Sequence, residues 1–471
     1  MEGWAVPKAN DAITISLVPP RGFPSSSSTV QTFHPAMTYQ IFEGESIYGY
    51  KDLAVDIKFR SDDMSPSIAV KYDEKLEAAG TTANEVKVDD VEPALREYLP
   101  ADTPSELDLS ESNFAPPGEH VNTYFTETSK FHIYRANLSD KIAQDIVRRT
   151  QILAVLFIEA GSVIDLSEEG NALCWDVFFI YEILPNDKVS FAGFCTVHKY
   201  WYFLPEKTAT IKANDANGET DEFEKGTKFR QAIMDNAFTR LYRARISQFV
   251  ILPPYQRQGH AKELYNTIIT TYLADPLAKE IPVEDPSERF EDIRDIADYT
   301  RLKKAGLVTP AVVEMLLERG KKVRLWIDTQ RQVAKMDRRQ FMRIVEMLML
   351  EAILDDTEND LEEQRDRLRI YVKERLYRQN KDILMQLERD DRKVKLHETY
   401  ENVEDDYVRL LRKLDSKALN KLMELASASR SVISGKRAQS EISTIEEDEE
   451  GEEEEEELEP PSKRKRTKMD M

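Results

Sequence analysis

The sequence predicts an α+β protein in which the strands precede the helices. Segments rich in aromatic and β-branched residues, separated by turn formers, recur up to about residue 252. Beyond Pro286 the pattern becomes that of amphipathic helices, and the chain ends in an acidic run. With 471 residues, two or three domains are expected, each with its own core. The order predicts a β-sheet region followed by a helical domain.

The charge of the chain favours a basic protein as its partner. The net charge is −22, and twelve acidic residues between 446 and 459 leave −10 for the remainder. Nucleic acids bind basic surfaces through their phosphates. Because this chain is acidic, no direct nucleic-acid binding is expected. Like charges at this density repel and bury nothing, and residues from about 434 onward are predicted to be disordered.

Other features exclude further classes of protein. The sequence has no basic leader followed by an apolar run and no stretch of about 18 apolar residues, so we expect neither secretion nor a membrane span. Its two cysteines, Cys174 and Cys195, lack metal-ligand spacing. Cytosol or nucleus and a metal-free site are therefore expected.

The N-terminal part is predicted to be a loose start followed by strands. Residues up to Ser28 are expected to lack structure, because they end in a proline and a serine run. Residues 33–59 are typical of strands with a hairpin, and a soft boundary is placed near residues 116–118.

The middle of the chain is predicted to form an antiparallel meander. Its strands are expected at residues 152–158, 174–183, 190–202 and 245–252. Residues 207–237 are polar and predict an inserted loop. The fourth strand must end at Pro253 and Pro254, which cannot continue a ladder.

Helices are predicted in the C-terminal third. Thr309 and Pro310 have the residue types of a helix start, and Gly320 those of its end. Four apolar residues fall at i, i+3, i+4 and i+7, namely Phe341, Ile344, Val345 and Leu348. Residues 377–414 read as one long charged amphipathic helical stretch.

The segment most informative about chemistry is 245–264, which reads RISQFVILPPYQRQGHAKEL. A strand ends in two prolines, a loop follows, and a helix begins near Lys262. Such a loop directs backbone N–H groups outward at the positive end of a helix dipole, which suits a pyrophosphate. Gly259 and Ala261 are small enough to let the phosphates approach the backbone. An ordinary strand-to-helix turn is the alternative.

This segment resembles the acetyl-CoA motif of the GNAT N-acetyltransferase superfamily, Q/R-x-x-G-x-G/A, filled by Gln256, Gly259 and Ala261. The wider pattern R-[IV]-S-Q-F-x-I-x-P-P-[YF]-Q-x-x-G-H is similar to catalytic subunits of type B histone acetyltransferases, of the fungal type. Residues 38–51, 156–165 and 283–286 also resemble that subfamily. Ala261 is a departure, because the subfamily usually has glycine at this position. The superfamily tolerates alanine there.

The resemblance covers roughly residues 30–430 and implies four parts. Residues 1–120 would be a mixed α/β domain that contacts the histone, and 121–287 a mixed-sheet GNAT catalytic domain. Residues 288–432 would be helical. Residues 433–471 would be a disordered acidic tail with a basic nuclear-import cluster from Lys463 to Lys468.

The resemblance also implies acetyl-CoA as cosubstrate and a set of residues to hold it. The pantetheine arm would pair with the free edge of the fourth strand as an added strand would. The implied contacts are Phe249, Val250, Ile251, Gln256, Arg257, Gln258, Gly259, His260, Ala261, Lys262 and Ser287. For the His260 side chain, a structural role is favoured over a catalytic one.

For catalysis, the resemblance implies direct attack in a ternary complex with Glu284 as general base. Glu159 and Asp285 would be further carboxylates of the site. Asp285 also begins a sequence shaped like a capping box, and helix capping is favoured for it. Glu159 follows an apolar run and is equally explained as the end of a strand.

For the substrate, the resemblance implies a lysine-rich tail of newly made core histone four, carried as its dimer with core histone three. Glu43 and Glu45 would read the tail, and His198, Lys199, Tyr200 and Trp201 would wall its groove, unless the turn is merely solvated and the aromatic residues are core. A WD-repeat propeller subunit and an importin are the implied partners, with roles in chromatin and DNA repair in cytoplasm and nucleus. The rival functions are a histone-binding module without turnover and a small-molecule or N-terminal acetyltransferase.

Overall fold

The computed structural model describes residues 4–23, 29–76, 88–111, 113–166, 170–201, 241–318, 320–356 and 360–414. The strands of these residues are β1 Ala5–Val6, β2 Ile13–Val18, β3 Gln31–Phe33, β4 Ile47–Tyr48, β5 Tyr50–Lys51, β6 Ala54–Arg60, β7 Pro66–Lys71, β8 Glu74–Lys75, β9 Glu119–Phe125, β10 Lys130–Asn137, β11 Trp175–Ile183, β12 Val189–Trp201, β13 Tyr242–Ile251 and β14 Ala278–Glu280. The helices are α1 Ala9–Ala12, α2 Val91–Arg96, α3 Lys141–Phe157, α4 His260–Ala274, α5 Glu288–Lys304, α6 Pro310–Glu318, α7 Lys321–Ala334, α8 Arg338–Asp355, α9 Leu361–Gln379, α10 Lys381–Leu384 and α11 Arg389–Lys413.

The chain divides into two compact units. The first comprises Met1–Ala297 with Gln330–Asp337, and the second Asp298–Thr329 with Arg338–Met471. The first unit contains the sheets, and in the described residues the second is helical. The predicted α+β class with a helical C-terminal region is therefore confirmed, and the four-part domain division stays a prediction.

A four-stranded sheet in the order β3-β2-β6-β7 organises the N-terminal part of the described chain. Strand β2, one of its two inner strands, buries Ile13, Ile15 and Leu17 almost completely. The prediction that structure begins only after Ser28 is therefore wrong: the alternating apolar residues of β2 form part of the core. The strands expected within residues 33–59 are confirmed, but the hairpin joins β6 to β7, beyond that segment.

The larger sheet has six described strands in the order β14-β13-β12-β11-β10-β9. Neighbours from β9 to β13 are antiparallel, while β14 runs parallel to β13. The strands predicted at residues 174–183, 190–202 and 245–252 are β11, β12 and β13. Helix α3 packs on β13, and α4 packs on β9, β11 and β13. The mixed sheet is confirmed.

The strand predicted at residues 152–158 is wrong, because this run forms the end of helix α3. Asp140 caps the helix, accepting hydrogen bonds from the amides of Ile142 and Ala143. Residues 152–156 are all at least 98% buried, so the run carries no one-sided pattern. Periodicity cannot distinguish a fully buried helix end from a buried strand.

The second unit follows the predicted helical pattern. The amide of Val312 donates to the Thr309 hydroxyl at the start of α6, as the capping residue types indicate. Phe341, Ile344, Val345 and Leu348 are all buried in α8. The stretch 377–414 differs from the prediction: it is broken after Gln379 and again after Leu384.

Three predicted features lie outside the described residues: the inserted loop at 207–237, the acidic run and the basic cluster. None of the helices described is both long and apolar enough to cross a membrane. Nor do the described residues bring together three metal-ligating side chains of His, Cys, Asp or Glu.

Candidate active site

The loop between β13 and α4 leaves the start of that helix open. Gly259 occupies the N-cap position with φ +91°, a backbone conformation that favours glycine. No side chain caps the helix, and a Cβ at Gly259 would have no described atom within 4 Å. The first intrahelical bond runs from Glu263 N to Gly259 O, so the amides of residues 260–262 have no partner within the helix. This geometry suits an anionic group.

Two glutamines fold back to shape the loop. The side-chain amide of Gln256 donates to the Ile251 carbonyl at 2.9 Å, and that of Gln258 donates to the Pro254 carbonyl at 3.0 Å. Arg257 is exposed and has a left-handed φ of 63°. The glutamine side chains therefore brace the loop, while its backbone and Arg257 face solvent.

Beneath the loop, the side chain of His260 is buried in an aromatic cluster. Its Nδ1 lies 2.7 Å from the Tyr124 hydroxyl, and its ring stands 4.3 Å from that of Phe131. Burial lowers the pKa of His260 to about 4, so the imidazole is neutral near pH 7. Tyr255, on the other side of the loop, is also buried and donates to Glu182. This arrangement anchors the loop at both ends and gives the His260 side chain a structural role.

The sheet opens next to the loop because β13 and β14 pair only briefly. Their partners are Tyr242 with Ala278 and Arg243 with Glu280, followed by one bridge from Ile246 to Val283. Past Ile246, the described chain records no strand pairing on this edge of β13. Among the described strands, β12 alone therefore borders the last half of β13.

A β-bulge in β13 accompanies this opening. Ser247 and Gln248 together oppose the single residue Thr196 of β12. Before the bulge, the amide of Ile246 points towards the β14 side and donates to Pro282 O. After it, the amide of Gln248 points towards β12 and donates to the Thr196 hydroxyl. Without the extra residue, the amides of Ile246 and Gln248 would face the same edge of β13. With it, the amide of Gln248 faces β12, and the amides of the residues next to it face the open edge.

Of the three predicted pantetheine contacts, two present their amides to the opening. The amide of Leu252 donates to Ala192 O on β12, as Gln248 does to Thr196. Because amide direction alternates along a strand, Phe249 and Ile251 direct theirs to the opposite edge and Val250 towards β12. The Phe249 ring packs 4.8 Å from Phe290 of α5.

Glu284 lies where β13 loses its second neighbour. Its amide donates to Ile246 O at 2.9 Å, which fixes the backbone at the mouth of the opening. Its carboxylate receives the Arg245 guanidinium on Oε1 at 2.9 Å and the Ser247 hydroxyl on Oε2 at 2.5 Å. The side chain is 40% exposed, so the carboxylate is oriented yet accessible.

The other predicted carboxylates lie on neighbouring loops. Asp285 follows Glu284, is exposed, and has φ 33°. The helix cap favoured for Asp285 is wrong: α5 begins at Glu288, and the Ser287 hydroxyl accepts from the amide of Phe290 at 3.4 Å. Ser287 therefore lies at this helix start. Asp285 stands two residues too early to cap it.

Glu159 is exposed on the loop after α3. The buried Gln248 side chain binds that loop at Ser162 O, 2.7 Å away, and contacts Gln151 of α3. The loop bearing Glu159 is thereby tied to the bulge of β13.

The predicted groove residues separate onto two faces of β12. His198 stacks on Trp175 at 4.5 Å and on Tyr200 at 6.0 Å, and it pairs in register with Arg245. Burial, with a contribution from the Arg245 guanidinium, lowers the pKa of His198 to about 4. His198 and Tyr200 thus form an aromatic wall near Glu284. Trp201 ends the strand.

Lys199 points the other way and is not part of that wall. Its ammonium forms a buried ion pair with Asp176 at 2.8 Å, where Arg135 also binds. Burial would raise the pKa of the Asp176 carboxyl, but Lys199 and Arg135 lower it to about 2. The expected groove contact by Lys199 is therefore corrected to a core ion pair.

Glu43 and Glu45 lie in a short 3-10 turn, as the sequence indicates. Glu45 is partly buried, and its carboxylate accepts from the amide of Thr38 at 3.3 Å. Glu43 is exposed. Of these two glutamates, only Glu43 is exposed enough to be readily available to a basic partner.

Sequence reasoning missed Arg245, Ser247 and Gln248 as site residues. Arg245 and Ser247 flank Ile246 inside the same motif, and in a strand alternate residues share a face. That periodicity was the available signal for Arg245 and Ser247. The bulge that turns Gln248 inward has no such signal.

Comparison with known proteins decides the family. The family model described as Histone acetyl transferase HAT1 N-terminus matches residues 5–159, and the model described as Fungal HAT1, C-terminal matches residues 295–353. A protein of Pyricularia oryzae named histone acetyltransferase type B catalytic subunit is 33% identical over 87% of this chain and 91% of its own length. The chain belongs to this family of type B catalytic subunits.

Further relatives in this family carry the same name. One, from Debaryomyces hansenii, is 33% identical over 86% of this chain and 88% of its own length. Another, from Schizosaccharomyces pombe, is 33% identical over 81% and 87% respectively. The expected family and the enzyme class, a histone acetyltransferase, are confirmed, and this class uses acetyl-CoA as cosubstrate.

Proposed function

We propose that this type B catalytic subunit transfers acetyl from acetyl-CoA to lysine ε-amines in the N-terminal tail of newly made core histone four. The observation that carries the proposal is the convergence of three features on one opening of the larger sheet. These are the uncapped start of α4 at Gly259, the free edge of β13 at Phe249 and Ile251, and the carboxylate of Glu284. Together they offer places for a pyrophosphate, an extended arm and an amine.

The uncapped helix start would hold the pyrophosphate on the amides of His260, Ala261 and Lys262, with Arg257 close by in sequence. The free amides of Phe249 and Ile251 would pair with the pantetheine arm. An amide at this edge would also polarise the thioester carbonyl as negative charge develops on its oxygen. Gln256, Gln258 and Ser287 would support this binding by shaping the loop and the start of α5.

The chemical step we propose is direct attack within a ternary complex. Glu284 accepts a proton from the lysine ammonium, and the neutral amine attacks the thioester carbonyl. The C–N bond forms, the C–S bond breaks, and the released thiolate takes up the second amine proton. A free lysine has a pKa of about 10.4, so near neutral pH only about one in a thousand is unprotonated. A base at the opening removes much of that handicap.

The aromatic wall formed by His198 and Tyr200 suits a glycine-rich lysine tail. Glycine lets an extended peptide pass aromatic rings without side-chain clashes. Exposed acidic groups such as Glu43 would attract the lysines. The net charge of −10 outside the acidic run favours a free basic histone, in its dimer with core histone three, over a nucleosome coated by DNA.

We further propose a division of labour with partners. A WD-repeat propeller subunit would hold the histone, and an importin would read the basic cluster from Lys463 to Lys468, placing the enzyme in both cytoplasm and nucleus. The runner-up is a histone chaperone without turnover. The accessible carboxylate beside an uncapped helix start favours the enzyme.

The first experiment tests the base. Glu284→Gln should lower kcat on the histone tail by about 100-fold with little change in acetyl-CoA affinity. The deficit should shrink as pH approaches the lysine pKa. Glu288→Gln changes an exposed glutamate at the start of α5 and serves as the matched control. A wild-type rate for Glu284→Gln at neutral pH would reject the assignment, with Glu159→Gln and Asp285→Asn then locating the base.

The second experiment tests the substrate. Turnover is compared on free histone, tail peptide and reconstituted nucleosomes at several salt concentrations. Free histone should react fastest, and its advantage should diminish as salt screens the charges. Equal or faster acetylation of nucleosomes would contradict the substrate assignment, and the absence of turnover on all three would favour the chaperone.

A further inference from the structure

Two arginine–glutamate pairs connect β13 to the segment that follows α4, and they differ in character. Arg243 Nε lies 2.5 Å from Glu280, which is 12% exposed and also binds Arg331 at 3.2 Å. Arg245 lies 2.9 Å from Glu284, which is 40% exposed. The first pair sits where β13 and β14 are joined, and the second where they part.

The pair of Arg245 and Glu284 has the features of a functional contact, because it orients a carboxylate that remains accessible. Arg245 forms an ion pair with Oε1 of Glu284, and the Ser247 hydroxyl donates to Oε2, so each carboxylate oxygen has one partner. Each oxygen has two acceptor directions, so one remains open on both. The carboxylate is therefore fixed in orientation and still able to take a proton.

The Arg245 guanidinium lies next to two aromatic residues of β12, Tyr200 and His198. It stands 5.7 Å from the Tyr200 ring centroid, within the range of a cation–π contact. His198 lies across from it in the register of β12 and β13, with a pKa lowered to about 4 by burial and by Arg245. The imidazole is then neutral near pH 7 and does not compete as a cation for Glu284.

The Arg245 side chain also bears a cost that packing does not explain. Its Nε is buried and has no hydrogen-bond partner among the residues that the structure describes, whereas the corresponding Nε of Arg243 contacts Glu280. A buried donor without a partner costs stability, because it has lost its hydrogen bonds to water. A partly exposed ion pair such as that of Arg245 with Glu284 contributes little stability in return, because water screens it. Stability alone therefore gives little reason for this conformation.

We propose that Arg245 is a positioning residue of the acetyl transfer: with Ser247 it holds the Glu284 carboxylate in the orientation that receives the lysine proton. This inference rests on the proposed role of Glu284 as base. Arg245 contacts Glu284 and need not contact either substrate, so its removal should affect the chemical step and leave cosubstrate binding intact.

The test compares Arg245→Gln with Arg243→Gln, which removes a guanidinium from the same strand and the same aromatic ring. Arg245→Gln should lower kcat on the tail peptide by about 10-fold or more, while the KM for acetyl-CoA changes by less than about 2-fold. Arg245→Lys, which keeps a charged donor, should recover much of the loss. Arg243→Gln should keep kcat within about 2-fold, and thermal unfolding shows whether each variant is folded.

A double-mutant cycle separates this inference from the function on which it rests. In a Glu284→Gln background, Arg245→Gln should add less than about 2-fold, because the two residues act as a unit. A folded Arg245→Gln with wild-type kcat, or its full loss persisting in that background, overturns the positioning role while leaving Glu284 as base. A wild-type rate for Glu284→Gln itself overturns both.

Discussion

Helices α3 and α4 both pack on the larger sheet, but they begin in opposite ways. At α3, Asp140 accepts from the amides of Ile142 at 2.8 Å and Ala143 at 3.1 Å. At α4, Gly259 supplies no side chain, and the first amides remain available. A cap of the Asp140 kind stabilises a helix by about 1 kcal/mol. At α3 a side chain therefore occupies the first amides, whereas at α4 the corresponding amides remain available for the proposed pyrophosphate.

The largest effect is expected from closing the open start with Gly259→Val. A β-branched residue is strained at φ +91°, and its side chain would occupy the space into which a phosphate must come. Acetyl-CoA affinity, measured by calorimetry, should fall by about 100-fold or more. Gly306→Val is a matched control in the second unit, since Gly306 also has positive φ and no atom within 4 Å of a Cβ. Equal losses in the two variants would refute the loop assignment.

The next effect concerns what holds the open start in place. Tyr124→Phe removes the hydroxyl that contacts His260 Nδ1 at 2.7 Å and leaves a buried ring nitrogen unpaired. We expect a loss of about 1–3 kcal/mol in the free energy of unfolding, measured by urea denaturation. Tyr39→Phe removes an exposed hydroxyl that accepts from the amide of Ala160 and should cost less. Equal stability of the two variants would show that the buried contact does not anchor α4.

A smaller effect is expected at the capped helix. Asp140→Ala removes the acceptor of two amides and should lower the free energy of unfolding by about 1 kcal/mol. Calorimetry should give unchanged acetyl-CoA affinity, because α3 begins away from the predicted loop. A strong loss of affinity would mean that the two helix starts are not independent.

The smallest effect is a pH dependence contributed by His260. Its pKa is about 4 when folded and about 6.5 when unfolded, so protonation favours the unfolded chain. The stability from this group is complete above pH 6.5 and is lost as pH falls towards 4. We would measure the unfolding temperature between pH 7 and pH 6, where only the beginning of this loss of stability occurs. As pH falls over this range, the unfolding temperature of His260→Gln should therefore decrease slightly less than that of the wild type. Parallel curves of unfolding temperature against pH would contradict a buried, neutral His260.

The sequence predicted those parts of the site that are local in the chain. Gly259 and the strand before it were expected because a strand, two prolines and a small-residue loop lie in one short segment. The pairing of Glu284 with Ser247 joins residues 37 apart, and it depends on a bulge that no residue pattern announces. Lys199 was wrongly predicted to line the groove, although alternation along a strand places its side chain on the other face of β12 from His198 and Tyr200.

The errors in the fold have equally physical causes. The run at 152–158 is buried on all sides, so its pattern lacks the period that distinguishes a helix from a strand. Strand β2 was overlooked because the serine-rich segment after it suggested that everything before it was loose. Its alternation of Ile13, Ile15 and Leu17 was a usable signal. The helices of the second unit were predictable because they bury one side.

The unpaired half of β13 has a further consequence for self-association. An exposed strand edge invites pairing with a strand of another chain and hence aggregation. Here the edge is interrupted by the bulge at Ser247 and ends before Pro253, and the Gln256 side chain occupies the Ile251 carbonyl. A second β-strand would find neither a straight ladder nor enough free groups, whereas a short flexible arm needs only a few. The chain can therefore keep this edge open to a small molecule while resisting fibril-like contacts with its own copies.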